Sequence, residues 1–390
     1  IIGKDLCGVV AGDININAGS DGIKSTYDTD TTKGNVIIEG GNITIKASND
    51  GIQAENILVI NDGTINIKTN NGAADTTQTH TDNMYMGRGG FGFNNNKTTT
   101  TTDDTVESRK GIKAGNMLII NDGDITIDSD DDSVHCNSEI YIYGGTINAA
   151  TGDDGVHADD LLTVNGGTIN ITQCYEGIEA DDIVINDGDI SVVSSDDGIN
   201  SSDGSITING GNLLINASGD GLDANGSIII NGGYIVVLGP TSDGDTAIDY
   251  DDSCTINGGT VMAFGSSGIL EIPKGASNGA CIVTAFTSVS GGSKYTLSDS
   301  NGNEILSYTP SKAYAAAIVY SDKITTGNTY DITAGSTTLS IEVTSDVTSN
   351  VSSGLGKAGG MNKPGNGGSG MPNMNNGSSN GNAPQMNNRM

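Results

Sequence analysis

Two columns of polar side chains run through residues 21–249 at a fixed separation of three residues. The first holds Asp21, Asp50, Lys110, Asp132, Asp154, Glu176, Asp197, Asp220 and Thr246; the second holds Lys24, Gln53, Lys113, His135, His157, Glu179, Asn200, Asp223 and Asp249. Such oxygen-rich files suit a hard dication, since Ca²⁺ takes six to eight oxygen ligands at about 2.3–2.6 Å. Where equivalent positions stack at the strand spacing of about 4.8 Å, neighbouring carboxylates repel by roughly 3–4 kcal/mol at an effective dielectric near 20. Protons or cations must offset that repulsion. The expected calcium ligands fall into two clusters, Asp197, Asp220, Asp223 and Asp249 in one, and Asp132, Asp154, Glu176, Glu179 and Asn200 in the other. Asp beside Gly also shapes turns without any ion, which explains one acid per repeat but not the second column.

His135 and His157 occupy successive places in the second column. Paired imidazoles can hold a transition metal, and one alone can act as a general base. With no third soft ligand in the column, they read as turn packing. No Ser/His/Asp set with recognisable spacing and no Gly-rich phosphate loop is present, and no catalytic residue is assigned. Between Lys113 and Lys274 there is no Lys or Arg, against 28 Asp and Glu. The coils richest in calcium candidates therefore lack a strong base.

The elements that position these columns are repeats. Asn-Asp-Gly or Asn-Gly-Gly followed by an alternating strand recurs at Asn61, Asn121, Asn165, Asn186, Asn209, Asn231 and Asn257. It alternates with a second unit, seen in Asp50-Gly51-Ile52-Gln53-Ala54 and Asp220-Gly221-Leu222-Asp223-Ala224. Gly123, Gly145, Gly167, Gly188, Gly211 and Gly233 are 22, 22, 21, 23 and 22 residues apart. Each period holds about three short runs of period-2 apolar spacing and no helical pattern. A leucine-rich repeat is excluded, because its Leu consensus and helical arm are missing. The expected fold is all-β, a right-handed parallel β-helix solenoid of about ten coils of about 22 residues, with a small β-rich C-terminal cap. The recurrent Asn predicts a stacked side-chain ladder in one turn.

The chain has 390 residues and a formal charge of −31. A surface this acidic repels nucleic acid and anionic membranes, and no apolar run approaches the roughly 20 residues of a membrane span. The five cysteines form no CxxC pair and read as small buried hydrophobes. The helix is expected over 1–275 with insertions at 27–33 and 73–109, the second a low-complexity surface loop. A β-rich module follows over 276–348, and 349–390 is a Gly/Asn/Met-rich stretch expected to be disordered. The chain starts at Ile1 with neither Met nor signal peptide, so export is inferred and the protein is expected to be secreted, extracellular or at the cell surface.

The Ser-Asp-Asp-Gly-Ile and Tyr-Glu-Gly-Ile-Glu-Ala units, the Ile-Asn-Gly-Gly strands and the Gly/Met/Phe-rich insertion resemble one known family over roughly residues 1–345. It is the calcium-binding β-helix family of carbohydrate-binding proteins from cellulolytic clostridia, similar in fold to family 9 pectate lyases. In those lyases a pair of Asp, then Gly, then another Asp holds calcium. Asp153-Asp154-Gly155-Val156-His157 and Asp196-Asp197-Gly198-Ile199-Asn200 keep the pair and lose the last Asp, while Gly219-Asp220-Gly221-Leu222-Asp223 keeps the last and loses the first. The resemblance implies a non-catalytic protein binding cellulose or a pectic polymer such as polygalacturonate, with Ca²⁺. The sugar-contacting residues are not assigned, and the aromatics near the repeat are Tyr141, Tyr143 and Tyr175. Two other readings stand beside it: a structural surface or filament protein with end-to-end self-association, and a calcium-dependent pectate lyase.

Overall fold

The computed structural model describes residues 1–30, 32–73 and 107–351. Most of the insertion expected at 73–109, and nearly all of the stretch expected at 349–390, lie outside the described residues. Within them there is no helix. Three sheets of 10, 11 and 13 strands each begin with ten parallel strands taken as every third strand of the chain in turn, which is the topology of a β-solenoid. One coil is typified by Ile112–Ala114, Met117–Ile120 and Asp124–Ser129, contributing to the first, second and third sheets respectively.

Alternation within each strand decides what enters the core. In Met117–Ile120, Leu118 and Ile120 are buried while Met117 and Ile119 face outward. Parallel pairing then stacks like on like. Ile52, Ile112, Val134, Val156, Ile178, Ile199, Leu222 and Ile248 form one continuous in-register row down the first sheet. All eight are fully buried. Each such side chain contributes about 1.5–3 kcal/mol by leaving water. All five cysteines are buried and none is in a disulfide, as expected of small hydrophobes.

Two corners depend on glycine for different reasons. Gly188 in the Asn-Asp-Gly turn has φ of +128°, a conformation other residues rarely adopt. Gly198 instead sits where a Cβ would collide with the carbonyl oxygen of Gly221 in the next coil and with the side chain of Ile215. The expected Asn ladder is present. Asn186 donates from Nδ2 to Asn165 Oδ1 at 2.8 Å, Asn209 to Asn186 at 2.8 Å, Asn231 to Asn209 at 2.8 Å and Asn257 to Asn231 at 3.0 Å.

Beyond the coils, Tyr314–Ser321 pairs antiparallel with Thr260–Gly265, and Ala280–Val289 pairs antiparallel with Tyr314–Ser321. The third sheet thus continues with reversed direction. A separate four-stranded antiparallel sheet is formed by Glu304–Tyr308, Tyr295–Asp299, Thr329–Ala334 and Thr337–Glu342. It encloses a second core in which Tyr295, Leu297 and Ile332 pack with Val236, Leu238, Met262 and Phe264. Those last four residues come from the third sheet of the final two coils, so this region covers an outer face as well as an end.

Candidate functional site

The two polar columns lie along one edge of the first sheet. The second column occupies the middle, outward-facing place of each three-residue strand. Register stacks it without a slip, Lys24 on Gln53, Lys113, His135, His157, Glu179, Asn200, Asp223 and finally Asp249. The first column sits at the preceding corner, where its carboxylates bond from coil to coil. Asp50 Oδ1 accepts the backbone N–H of Lys110 at 2.8 Å, Asp132 Oδ1 that of Asp154 at 3.1 Å, Asp154 Oδ1 that of Glu176 at 3.2 Å and Asp197 Oδ1 that of Asp220 at 2.6 Å. One oxygen of each of these acids is a structural acceptor, and the turn role of the first column is real.

The remaining oxygens are neutralised differently along the axis. In the early coils, fixed cations do it. Lys24 Nζ lies 3.1 Å from Asp21, Arg109 2.6 Å from the buried Asp130, and Lys110 Nζ 2.8 Å from Asp131 and 2.5 Å from Asp132. Burial disfavours charge at Asp132, yet the Lys110 ammonium and the imidazoles of His135 and His157 hold its carboxyl well below the usual range. Burial likewise opposes the charge on Lys110, and Asp132 and Asp131 outweigh it, raising its pKa.

His157 is the next neutralising group. Its Nδ1 lies 3.2 Å from Asp154, 3.5 Å from Glu179 and 3.9 Å from Asp132. Burial acts to lower its pKa, but the bond to Asp154 and the charges of Asp132 and Glu179 raise it to about 10. Burial and neighbouring carboxylates raise Glu176 and Glu179, and Asn200 donates to Glu176 Oε2 at 2.9 Å.

From Asp197 onward the surroundings are acidic. Burial first, then the charges of Asp196 and Asp223, push Asp197 up to about 8. Burial, with Asp197, Asp223 and Asp249 adding repulsion, pushes Asp220 up to about 9. Carboxylate oxygens of Asp197, Asp220 and Asp223 lie within 4.8 Å of one another. This trio is a preformed oxygen cluster that proton uptake or a hard cation would relieve.

The candidate ligands are thus partitioned. Asp197, Asp220 and Asp223 come together, with Asp249 beside them. Asp154 and Glu179 flank His157, Asp132 is shared between Lys110 and the two imidazoles, and Glu176 is bridged to Asn200. The expected ligand clusters left out Asp131, and Asp153 entered only through the resemblance; the two form another close acidic group with Asp132. Their signal was present in the adjacent Asp residues before the recurring turn. Lys110 stands in the first column among acids, and its side chain reaches forward one coil to Asp131 and Asp132.

A further departure lies in the Asn ladder. Tyr143 holds the ladder position in its coil, its N–H bonding to Ile120 O at 2.8 Å as Asn121 N–H bonds to Ile60 O at 2.8 Å. Its ring is 52% exposed and stacks on Tyr141, with centroids 6.5 Å apart and planes at 15°. Tyr141 donates its hydroxyl to Glu139 at 2.9 Å and lies in register between Ile119 and Thr163 on the outer face of the second sheet.

No curated protein and no solved structure matches the chain. A family model described as carbohydrate-binding domain-containing protein matches residues 1–155 and again residues 153–343. The two matches together take in all ten strands of the first sheet and most of the antiparallel region that follows. On that coverage, the chain belongs to the carbohydrate-binding domain-containing protein family.

Proposed function

We propose that the protein is a non-catalytic, extracellular binder of cell-wall polysaccharide, cellulose or a pectic polymer, and that it carries calcium at Asp197, Asp220 and Asp223 with Asp249 alongside. The observation that carries the binding reading is the Tyr141–Tyr143 pair. The ladder position that is Asn in the coils on either side is given up at Tyr143 for an exposed ring, and that substitution contributes nothing to the ladder. Local departures of this kind are characteristic of functional positions. Two near-parallel rings on an outward sheet face form a platform for the apolar face of a sugar ring.

The calcium reading is supported by ligand chemistry. Asp197 and Asp220 are raised to about 8 and 9 with no basic side chain among the charges that shift them, and together with Asp223 they present oxygens only. The lyase alternative needs a base whose pKa lies near working pH. Lys110, the lysine beside the acidic groups of the middle coils, is held firmly protonated by Asp131 and Asp132, which argues against that chemistry.

The test is retention on insoluble cellulose and on calcium-linked polygalacturonate, with and without EGTA, comparing the natural chain with Tyr143→Asn. Retention that falls in the variant supports the platform. Retention unchanged by the substitution would move the site elsewhere, and unsaturated uronide products in the supernatant would overturn the non-catalytic reading.

A further inference from the structure

The two histidines form a polar centre that the polysaccharide reading does not use. Both imidazoles are arranged alike. Each turns Nδ1 toward the carboxylates and Nε2 toward an oxygen two residues onward, Asn137 Oδ1 at 2.9 Å for His135 and Asp159 Oδ1 at 3.7 Å for His157. An outer oxygen acceptor on one ring nitrogen, leaving the other free to coordinate, is the usual support of a metal-bound imidazole. His135 is only 8% exposed. Its Nδ1 is buried without a hydrogen bond, although it lies 2.8 Å from Asp132 Oδ2.

The spacing around His157 fits the same chemistry. Four ligands at bonds of about 2.0–2.1 Å in a tetrahedral site stand about 3.4 Å apart. From His157 Nδ1 the carboxylates of Asp154, Glu179 and Asp132 lie at 3.2, 3.5 and 3.9 Å. Ligand atoms of Asp132, His135 and His157 are mutually within 4.8 Å, and so are those of Asp154, His157 and Glu179. His157 belongs to both groups. The rings are 4.9 Å apart and nearly perpendicular, so both nitrogens can address one point without the rings stacking.

We propose that His135 and His157, with carboxylates drawn from Asp132, Asp154 and Glu179, form a site for one first-row transition-metal dication of the zinc class. Imidazole nitrogen selects such ions over calcium, so this site and the oxygen-only cluster at Asp197 sort two metals along one face. Lys110 remains paired with Asp131 when Asp132 turns to the metal. The inference does not depend on the polysaccharide reading.

Zn²⁺ titration of the chelator-stripped full chain in excess Ca²⁺, followed by calorimetry, tests it. The expected result is one tight equivalent that Ca²⁺ does not displace. It should persist in Asp197→Asn and in His80→Ala, which removes the chain's third histidine, and weaken about tenfold or more in His135→Asn and His157→Asn. X-ray absorption of the Zn²⁺-loaded His80→Ala protein should show imidazole scattering, and this holds even if the other histidine variants fold poorly. No Zn²⁺ bound in excess Ca²⁺, or a bound ion without imidazole in its shell, would overturn the proposal and leave His157 as a protonated partner of its carboxylates.

Discussion

Asp197 Oδ1 accepts the backbone N–H of Asp220 at 2.6 Å, so the carboxylate of one coil closes the corner of the next. The same acid belongs to the cluster proposed for calcium. Its hydrogen-bonding role and its charge in that cluster can be separated by substitution. Asp197→Ala leaves the Asp220 amide without its acceptor and should cost about 1–3 kcal/mol of unfolding free energy. Asp197→Asn keeps an acceptor oxygen and removes the charge. In EGTA it should match or exceed the natural chain, by urea denaturation, while its calcium response falls. Equal losses for Ala and Asn would show that the charge, not the hydrogen bond, is what the corner requires.

The pH dependence follows from the raised carboxyls. Asp197 and Asp220 titrate at about 8 and 9 in the folded chain, well above ordinary carboxylates in an unfolded one. Between about pH 4 and those values the folded state holds protons that the unfolded state has released, so stability falls as pH rises. Metal-free protein should have a higher urea midpoint at pH 5 than at pH 8.5, and added Ca²⁺ should flatten the difference. A midpoint that rises with pH in EGTA would contradict the assignment.

Tyr143 can be exchanged for the residue its neighbours use. Tyr143→Asn should continue the side-chain ladder between Asn121 and Asn165, leaving stability unchanged to within about 0.5 kcal/mol or raising it. Polysaccharide retention should drop about tenfold, the effect of losing an aromatic anchor worth about 1.4 kcal/mol. By contrast, Asn209→Ala breaks hydrogen bonds to both Asn186 and Asn231 and should cost about 1–2 kcal/mol without touching retention.

Lys110 supplies the fixed charge beside Asp132. Lys110→Met leaves a fully buried carboxylate without its ammonium partner, and breaking such a pair costs about 3–5 kcal/mol. Chemical denaturation at neutral pH should show that loss. Asp132→Asn in the same background should recover part of it, because the orphaned charge is then gone.

The periodic part of this molecule was legible because a parallel solenoid converts sequence spacing directly into spatial register. Lys24 to Asp249 stack in the order that their spacing implied, and the Asn turns bond as a ladder. Side-chain reach was not legible. Lys110 looks like a break in an acidic column until its extended chain is seen crossing to Asp132. His135 and His157 lack a third soft ligand in their column; the carboxylates that flank His157 are Glu179, next in that column, and Asp154, which reaches it from the corner in a direction that spacing does not describe. Nor did alternation in 276–348 indicate that Tyr295 and Ile332 would pack on Phe264 and Met262, since contacts without a period leave no mark in the sequence.

The uneven placement of fixed cations gives the solenoid a lengthwise electrical polarity. Lys and Arg stop at Lys113 and resume at Lys274, with 28 acids in between. Toward a polyanionic polymer, the lysine-bearing early coils are the receptive end and the later coils are the repelled one, most strongly at low ionic strength. A dication settling at Asp197 shrinks that dipole. If calcium occupies the site proposed there, it would govern more than the cohesion of the later coils: its concentration would set the angle at which the solenoid meets a charged surface.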